Sequence, residues 1–597
     1  MPGQQYSVNH HPISTLLAWN DSEEVAIPEI QRPFVWNAAK VRDFLDSLYR
    51  GYPVGYLITW FSPGVRLKDG TQSINKRILI DGQQRVMALF AALLGQEIVD
   101  RNYRRTRVSV AFHPEEDRFE VANAANSKDP AWISDIARVF APDAWMSEIV
   151  EGYCKANPNS SKRQVDESLR RLEGIRTNSI GFIELNGDLD VETVADIFVR
   201  INSQGVSLNA ADFAMSKMAA SEQYNGHNLR KCIDYFCHLA VAPEAYYDLA
   251  DDPEFSRTDY FNAMQWLKNE KEDLYDPSYT DMLRVAFTLE FERGRLEDLV
   301  ALLSGRNFET REFEEVIAEK SFNRLDSAIR NYMKESNFKR FIMILRSAGF
   351  VDASMIRSQN TINFSYILYL KLRAQNEAGG RIESLVRRWF VMSVLTGRYT
   401  GSPETAFGID IRNISTQGAS QYLEAIERAE LSDAFWNAGL PQQMDTSVAS
   451  SPYFNVFLAS QVKSNDKGFL SRDLTVFDLL VGQRHIHHVF PRSYLREHGY
   501  SRGRYNQIAN YVVMQSEINI SIGALAPASY ISDMWEQCND GAVRFGGITD
   551  ADQLRENLAA HCIPDGLETA DAASYAEFLN KRRGLMASKI RDYYGTL

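Results

Sequence analysis

The 597-residue sequence predicts a multidomain α+β protein. An N-terminal α/β domain is expected over residues 1–215, a central all-helical domain over 216–440 and a mixed domain over 441–597. Three observations carry this reading. The chain is far longer than one hydrophobic core normally serves, so about two to four domains are expected. The first third alternates strand-like runs with helical periodicity. From about residue 216, apolar residues recur at helical spacing, as in Met282 to Phe291 and Phe313 to Met333, and short strands return only around a C-terminal histidine cluster.

The elements follow in order. Val25 to Ile30 reads as a short strand leading through Gln31-Arg-Pro-Phe-Val-Trp36 to Asn37, whose side chain suits an N-cap. Val41, Phe44, Leu45 and Leu48 then mark a helix that Gly51-Tyr-Pro53 ends. Val54 to Phe61 and Arg77 to Ile80 read as strands, and Asp81-Gly-Gln-Gln-Arg85 opens a helix over Val86 to Leu94. Two β-like runs flank His113-Pro-Glu-Glu-Asp117, the pattern of a hairpin. Ser179 to Leu185 is one more strand, and a helix at 190–200 runs into Ile201-Asn-Ser-Gln-Gly-Val-Ser-Leu208 before another begins near Asn209. No internal repeat of fixed period and no low-complexity tract occurs.

Composition narrows the function classes. An apolar content of 45% and a charged content of 24% are ordinary for soluble globular proteins. The longest apolar run, Val86 to Leu94, falls short of the ~20 residues a membrane span needs. The opening MPGQQYSVNHH lacks the basic-then-apolar pattern of a secretion signal, so a cytoplasmic protein without membrane partners is expected. None of the five cysteines forms a C-x-x-C pair, and they read as small core residues in a reducing compartment. A net charge of −13 argues against a passive DNA-coating protein. It leaves room for a local basic face: Arg484, Arg492, Arg496, Arg502 and Arg504 are opposed only by Glu497. The four arginines of residues 101–107 read as a solvated loop.

Four of the ten histidines, His485, His487, His488 and His498, fall within fourteen residues. Neutral imidazole binds divalent metals and titrates near neutral pH, so such a cluster suits a metal ligand or a general base. Adjacent His487 and His488 on a strand point to opposite faces, one able to face a metal and the other an attacking water. A histidine-rich structural turn is the competing reading. Asn506, Asn510 and Asn519 follow downstream.

The wider pattern, HIHHVFPRSYL followed by IANYVVMQSEIN, resembles the HNH endonuclease half of the GmrSD family of modification-dependent restriction enzymes. The resemblance covers roughly residues 475–535 and implies a ββα-metal fold. It makes His488 the general base and His487 a metal ligand where Asp is common. It makes Asn510 the residue that holds the loop in shape, with Asn506 near enough to compete, and Asn519 the last ligand. Arg484, Arg492, Arg502 and Arg504 are then the expected DNA-binding residues. The implied cofactor is a divalent metal: oxygen and nitrogen ligands favour Mg²⁺ or Mn²⁺ in cells, and Ni²⁺ or Zn²⁺ could also occupy such a site.

In the N-terminal domain, Asp81-Gly-Gln-Gln-Arg85 sits between a strand and a helix, where backbone N–H groups make an anion site and Arg85 offers a fork of donors. A plain capped turn is the competing reading. IPEIQRPFVW, then ILIDGQQR, then FVRINSQGVSL resembles the N-terminal half of the same GmrSD family, which is similar in fold to ParB and sulfiredoxin. The resemblance covers roughly residues 10–220 and implies a nucleotide site made of Gln31, Arg32, Asp81, Gly82, Gln83, Gln84 and Arg85, taking an NTP, GTP or ATP. Asn202, Gln204 and Gly205 are candidates to close it. Phe34 and Trp36 read as core aromatics more readily than as base-stacking groups. No Walker A sequence is present, so such an NTPase is not of the P-loop kind.

Together these resemblances imply an NTP-binding and NTP-hydrolysing, metal-dependent DNA endonuclease for anti-phage defence, acting on double-stranded, modified phage DNA. A nicking enzyme indifferent to modification stays open. So does a nucleotide-switched, ParB-like DNA-binding protein with a degenerate nuclease half. Some members of the family dimerise, and a homodimer stays open too.

Overall fold

The computed structural model describes residues 5–22, 24–26, 34, 36–61, 77–99, 105–187, 189, 194, 197, 210–219, 221–250, 252–481 and 485–597. The chain divides into two compact units: Met1–Glu270 with Ser278–Thr280 and Leu299–Asn323, and Lys271–Pro277 with Asp281–Asp298 and Arg324–Leu597. The helical stretch that begins near residue 216 is therefore shared between them.

The first unit is built on a five-stranded sheet. Its strands are β1 (Tyr6–Pro12), β2 (Val25–Ala26), β3 (Tyr56–Phe61), β4 (Arg77–Asp81) and a last strand, Ser179–Leu185, in the order β1, Ser179–Leu185, β3, β4, β2. β3 runs parallel to Ser179–Leu185 and antiparallel to β4. Leu57, Leu79, Ile180 and Phe182 pack into the larger core with the helices α1 (Ile13–Asp21), α2 (Ala38–Tyr49) and α3 (Gln83–Leu93). Ile58, Trp60, Ile78, Ile80 and Leu185 pack into a second core with Val194, Ile197 and Phe213. The period-two alternation of the strands thus divides the apolar residues between the sheet's two faces.

The local signals act as their chemistry dictates. The Asn37 side chain accepts from Lys40 N at 2.8 Å and caps α2. Val110–His113 and Arg118–Val121 form the expected hairpin, with Asp117 at φ +50° in its turn. Phe34 is buried, and Trp36 packs edge-on against Phe44 in the same core, so both are core aromatics. The strand expected from Val54 starts only at Tyr56, because Gly55 takes φ +87°. β1, α1 and the helices Met146–Ala156 and Lys162–Glu173 complete this unit's α/β layer.

The second unit is helical apart from one short two-stranded antiparallel sheet among the described residues. Its core centres on Phe364, Trp389 and Tyr399, whose rings stack, and on the helices Pro452–Lys463 and Tyr575–Gly595. Cys154, Cys538 and Cys562 are free thiols. No helix among the described residues is long and apolar enough to cross a membrane.

His561 makes this unit acid-sensitive. It is completely buried, and its Nε2 donates to Lys467 O at 2.8 Å while Nδ1 accepts from Gln461 at 3.3 Å, a pattern only the neutral ring satisfies. Burial pushes its pKa from 6.5 down to about 3. Below pH 6.5 the unfolded chain takes up a proton that the native ring refuses. The stability from this residue is therefore complete above that pH and drains as pH falls towards 3. Urea unfolding of wild type is expected to lose roughly 2–3 kcal/mol more than His561→Gln for each two-unit drop in pH within that window. Equal losses in the two proteins would refute this.

Candidate functional sites

The C-terminal site is a ββα arrangement. Strands Ile486–His488 and Tyr511–Val513 pair antiparallel, with His487 opposite Val512 and His488 opposite Tyr511, and the helix Ser516–Ile522 follows at once. The strand geometry sends His487 and His488 to opposite faces.

His488 Nε2 lies 3.0 Å from Asn506 Oδ1, so Nε2–H donates and the Nδ1 lone pair is left as the basic site. The ring packs edge-on to Tyr511, its cross-strand neighbour. Burial lowers its pKa; the Asn506 hydrogen bond raises it, and nearby Arg492 lowers it further. The ring is thus held neutral near pH 7. On the other face, His487 Nε2 is buried without a hydrogen-bond partner. Burial, then neighbouring His485 and His488, lower the His487 pKa. His485 Nδ1 lies 3.1 Å from Ser516 Oγ.

Asn510 is fully buried and ties the loop between the strands together. Its Oδ1 accepts from Phe490 N at 2.8 Å, and its Nδ2 donates to Phe490 O and Tyr505 O, both at 3.1 Å. Asn510 O also accepts from Val489 N at 2.8 Å. The two asparagines that the sequence leaves in competition are separated: Asn510 bridges the loop, and Asn506 orients His488. Asn519 lies half-buried on Ser516–Ile522, one turn beyond Ser516.

Distant residues, which local sequence could not reveal, brace the same loop. Tyr530 Oη donates to Val489 O at 2.7 Å and Tyr575 Oη to Tyr505 O at 3.2 Å. Buried Arg582 donates to Ala509 O at 2.8 Å. Arg492, Arg502 and Arg504 are exposed, and none is ion-paired among the described residues. Arg472, Arg544, Arg555, Arg583 and Arg591 in the same unit each pair with an aspartate. Arg484 lies outside the described residues.

The donor set is compatible with a divalent cation. His487 Nε2 is a buried nitrogen in need of a partner. Among the described residues no group of three or more His, Cys, Asp or Glu side chains is arranged to hold a metal, so an amide such as Asn519 would have to complete any set here.

The N-terminal site is a strand-to-helix turn. Asp81 ends β4, Gly82 caps α3 at φ +95°, and Arg85 Nη2 returns to Asp81 Oδ2 at 3.0 Å. Arg85 Nη1 donates to Val54 O at 3.0 Å. Gly82 and Gly55 allow this packing, since a Cβ at Gly82 would strike Leu57 and one at Gly55 would strike the Arg85 guanidinium. Gln83 and Gln84 are buried. The guanidinium that the sequence offers to phosphate is therefore already bonded to Asp81 and the Val54 carbonyl. Gln31, Arg32, Asn202, Gln204 and Gly205 lie outside the described residues.

Residues 13–219 match the family described as the GmrSD restriction endonuclease, N-terminal domain. An uncharacterized protein of Methanocaldococcus jannaschii is 22% identical over 622 aligned residues, which cover 95% of this chain and 96% of that protein.

Proposed function

We propose that this chain is a divalent-metal-dependent DNA endonuclease of the modification-dependent restriction type, with an NTP-binding and NTP-hydrolysing N-terminal unit that senses modified phage DNA. The similarity of residues 13–219 to a restriction-endonuclease N-terminal domain supports the restriction role. The observation that carries the nuclease reading is the pair of histidines on one strand, His488 oriented by Asn506 and His487 with an orphaned buried nitrogen.

In this reading His488 Nδ1 takes the proton of an attacking water, and Asn506 holds the ring in the tautomer that leaves Nδ1 free. Asn510 keeps the loop in place, and Arg492, Arg502 and Arg504, with Arg484, draw in the phosphate backbone. His487 and Asn519 would hold the cation, which when bound neutralises charge developing on the phosphate and the leaving oxygen. Asp81, Gly82, Gln83, Gln84 and Arg85, with Gln31 and Arg32, form the nucleotide site, and Arg85 exchanges its present partners for phosphate.

The test is a panel of plasmid and modified phage DNAs incubated with Mg²⁺ or Mn²⁺, with and without GTP or ATP. Cleavage or nicking that chelation abolishes is expected, and Asp81→Ala and Arg85→Ala are expected to lose NTP hydrolysis while remaining folded. If every DNA stays intact, the nucleotide-switched DNA-binding reading replaces this one. NTP turnover unchanged in both variants would remove the nucleotide assignment.

A further inference from the structure

We infer that His485 joins His487 and Asn519 in one neutral donor set of two imidazoles and an amide, and that this set selects an imidazole-binding first-row metal ion over Mg²⁺. The inference deepens the nuclease proposal and rests on it.

Four observations converge. Met514 N donates to His485 O at 3.0 Å, so strand pairing continues one residue beyond Ile486 and keeps His485 in register. His485 and His487, two apart on that strand, therefore share a face. His485 Nδ1 is engaged by Ser516 Oγ at 3.1 Å, which fixes the ring and leaves Nε2 as its coordinating nitrogen. An oxygen on the far ring nitrogen is how metal-binding imidazoles are usually oriented. His487 contributes a second nitrogen, Nε2, buried and without a partner. Ser516 and Asn519 stand three apart on the helix Ser516–Ile522, hence on one face of it, so the contact of Ser516 with His485 brings the Asn519 amide to the same side.

The metal preference follows from charge. Mg²⁺ is hard and is normally bound through one or two carboxylates, whereas imidazole suits Zn²⁺, Ni²⁺ and other later first-row ions. Among the described residues no set of three or more His, Cys, Asp or Glu side chains is placed to hold a cation. Two nitrogens and an amide oxygen therefore favour the later ions.

The experiment is a titration of the full chain with Co²⁺, followed by its visible absorption, and with Mg²⁺ by calorimetry. Wild type is expected to bind Co²⁺ at least tenfold more tightly than Mg²⁺. His485→Ala, and His485→Gln which can still bond Ser516, are each expected to lose Co²⁺ affinity by about tenfold or more, with a changed absorption band. Both variants should melt as wild type does without metal, and His488→Ala should bind Co²⁺ normally. Co²⁺ binding unchanged in both His485 variants would overturn the inference and leave the nuclease proposal standing. A wild type that cuts DNA yet favours Mg²⁺ would also overturn it. A wild type that binds neither ion would overturn this inference and the metal-dependent reading together.

Discussion

Replacing His488 with alanine is expected to slow DNA cleavage by about 10²–10⁴-fold while DNA binding and folding persist, because a positioned general base contributes about that much. The substitution leaves the arginines proposed to meet phosphate untouched. The sign of the pH dependence follows from its surroundings. Burial lowers the His488 pKa, and Arg492 adds to this against the opposing Asn506 hydrogen bond. The basic, neutral form is therefore populated at a lower pH than for a free histidine. Wild-type kcat/KM should rise with pH through a value below 6.5. Asn506→Ala removes the contact that raises the pKa, so its profile should shift to still lower pH. Its rate should fall less than that of His488→Ala, since the ring loses orientation but keeps its basic nitrogen. Single-turnover rates across pH check this, and a His488→Ala enzyme that cuts at the wild-type rate would remove His488 from the chemistry.

The second large effect belongs to a side chain that is not proposed to touch DNA. Asn510 is fully buried and bonds Phe490 N, Phe490 O and Tyr505 O. Alanine leaves Phe490 N and Phe490 O unpaired, each costing about 1–3 kcal/mol, while Tyr505 O keeps its bond from Tyr575, and a destabilisation of roughly 2–5 kcal/mol is expected. Asn510→Asp should be worse. A carboxylate cannot donate to the two carbonyls and would face them as a buried charge. Cleavage should fall with both, because the loop that carries Asn506 hangs from these bonds. Denaturant unfolding of the three proteins decides the matter; a midpoint shift near zero for Asn510→Ala would show that the loop stands without its bridge.

These two residues also show what a linear reading of the chain can and cannot reach. That Asn37 caps a helix, that Gly82 starts one and that His487 and His488 face opposite ways are local consequences of side-chain size and backbone period. They are legible because the groups that interact lie within a few residues of one another. The β1 strand and its helix α1 left no comparable mark. β1 is an edge strand with largely exposed side chains, so its sequence carries no alternating apolar pattern to read. Of the two asparagines, spacing alone left both as candidates for the loop. The choice was made by Phe490, twenty residues away from Asn510, and by His488, eighteen away from Asn506.

The sequence by itself determined the kinds of elements, the alternation that divides the N-terminal sheet between two cores, and the concentration of histidine and arginine in one short stretch. Only the tertiary structure decided how those groups are used. It tied Arg85 to Asp81 and a carbonyl in the present conformation, and among the described residues it left Arg492, Arg502 and Arg504 without ion pairs while Arg472, Arg544 and Arg583 of the same unit pair with aspartates. It also set His485 against Ser516 and braced the histidine loop from Tyr530, Tyr575 and Arg582. The physical reason is the same in each case. A hydrogen bond needs its partner within about 3 Å, and which distant group arrives there is settled by the packing of whole helices, not by the residues on either side.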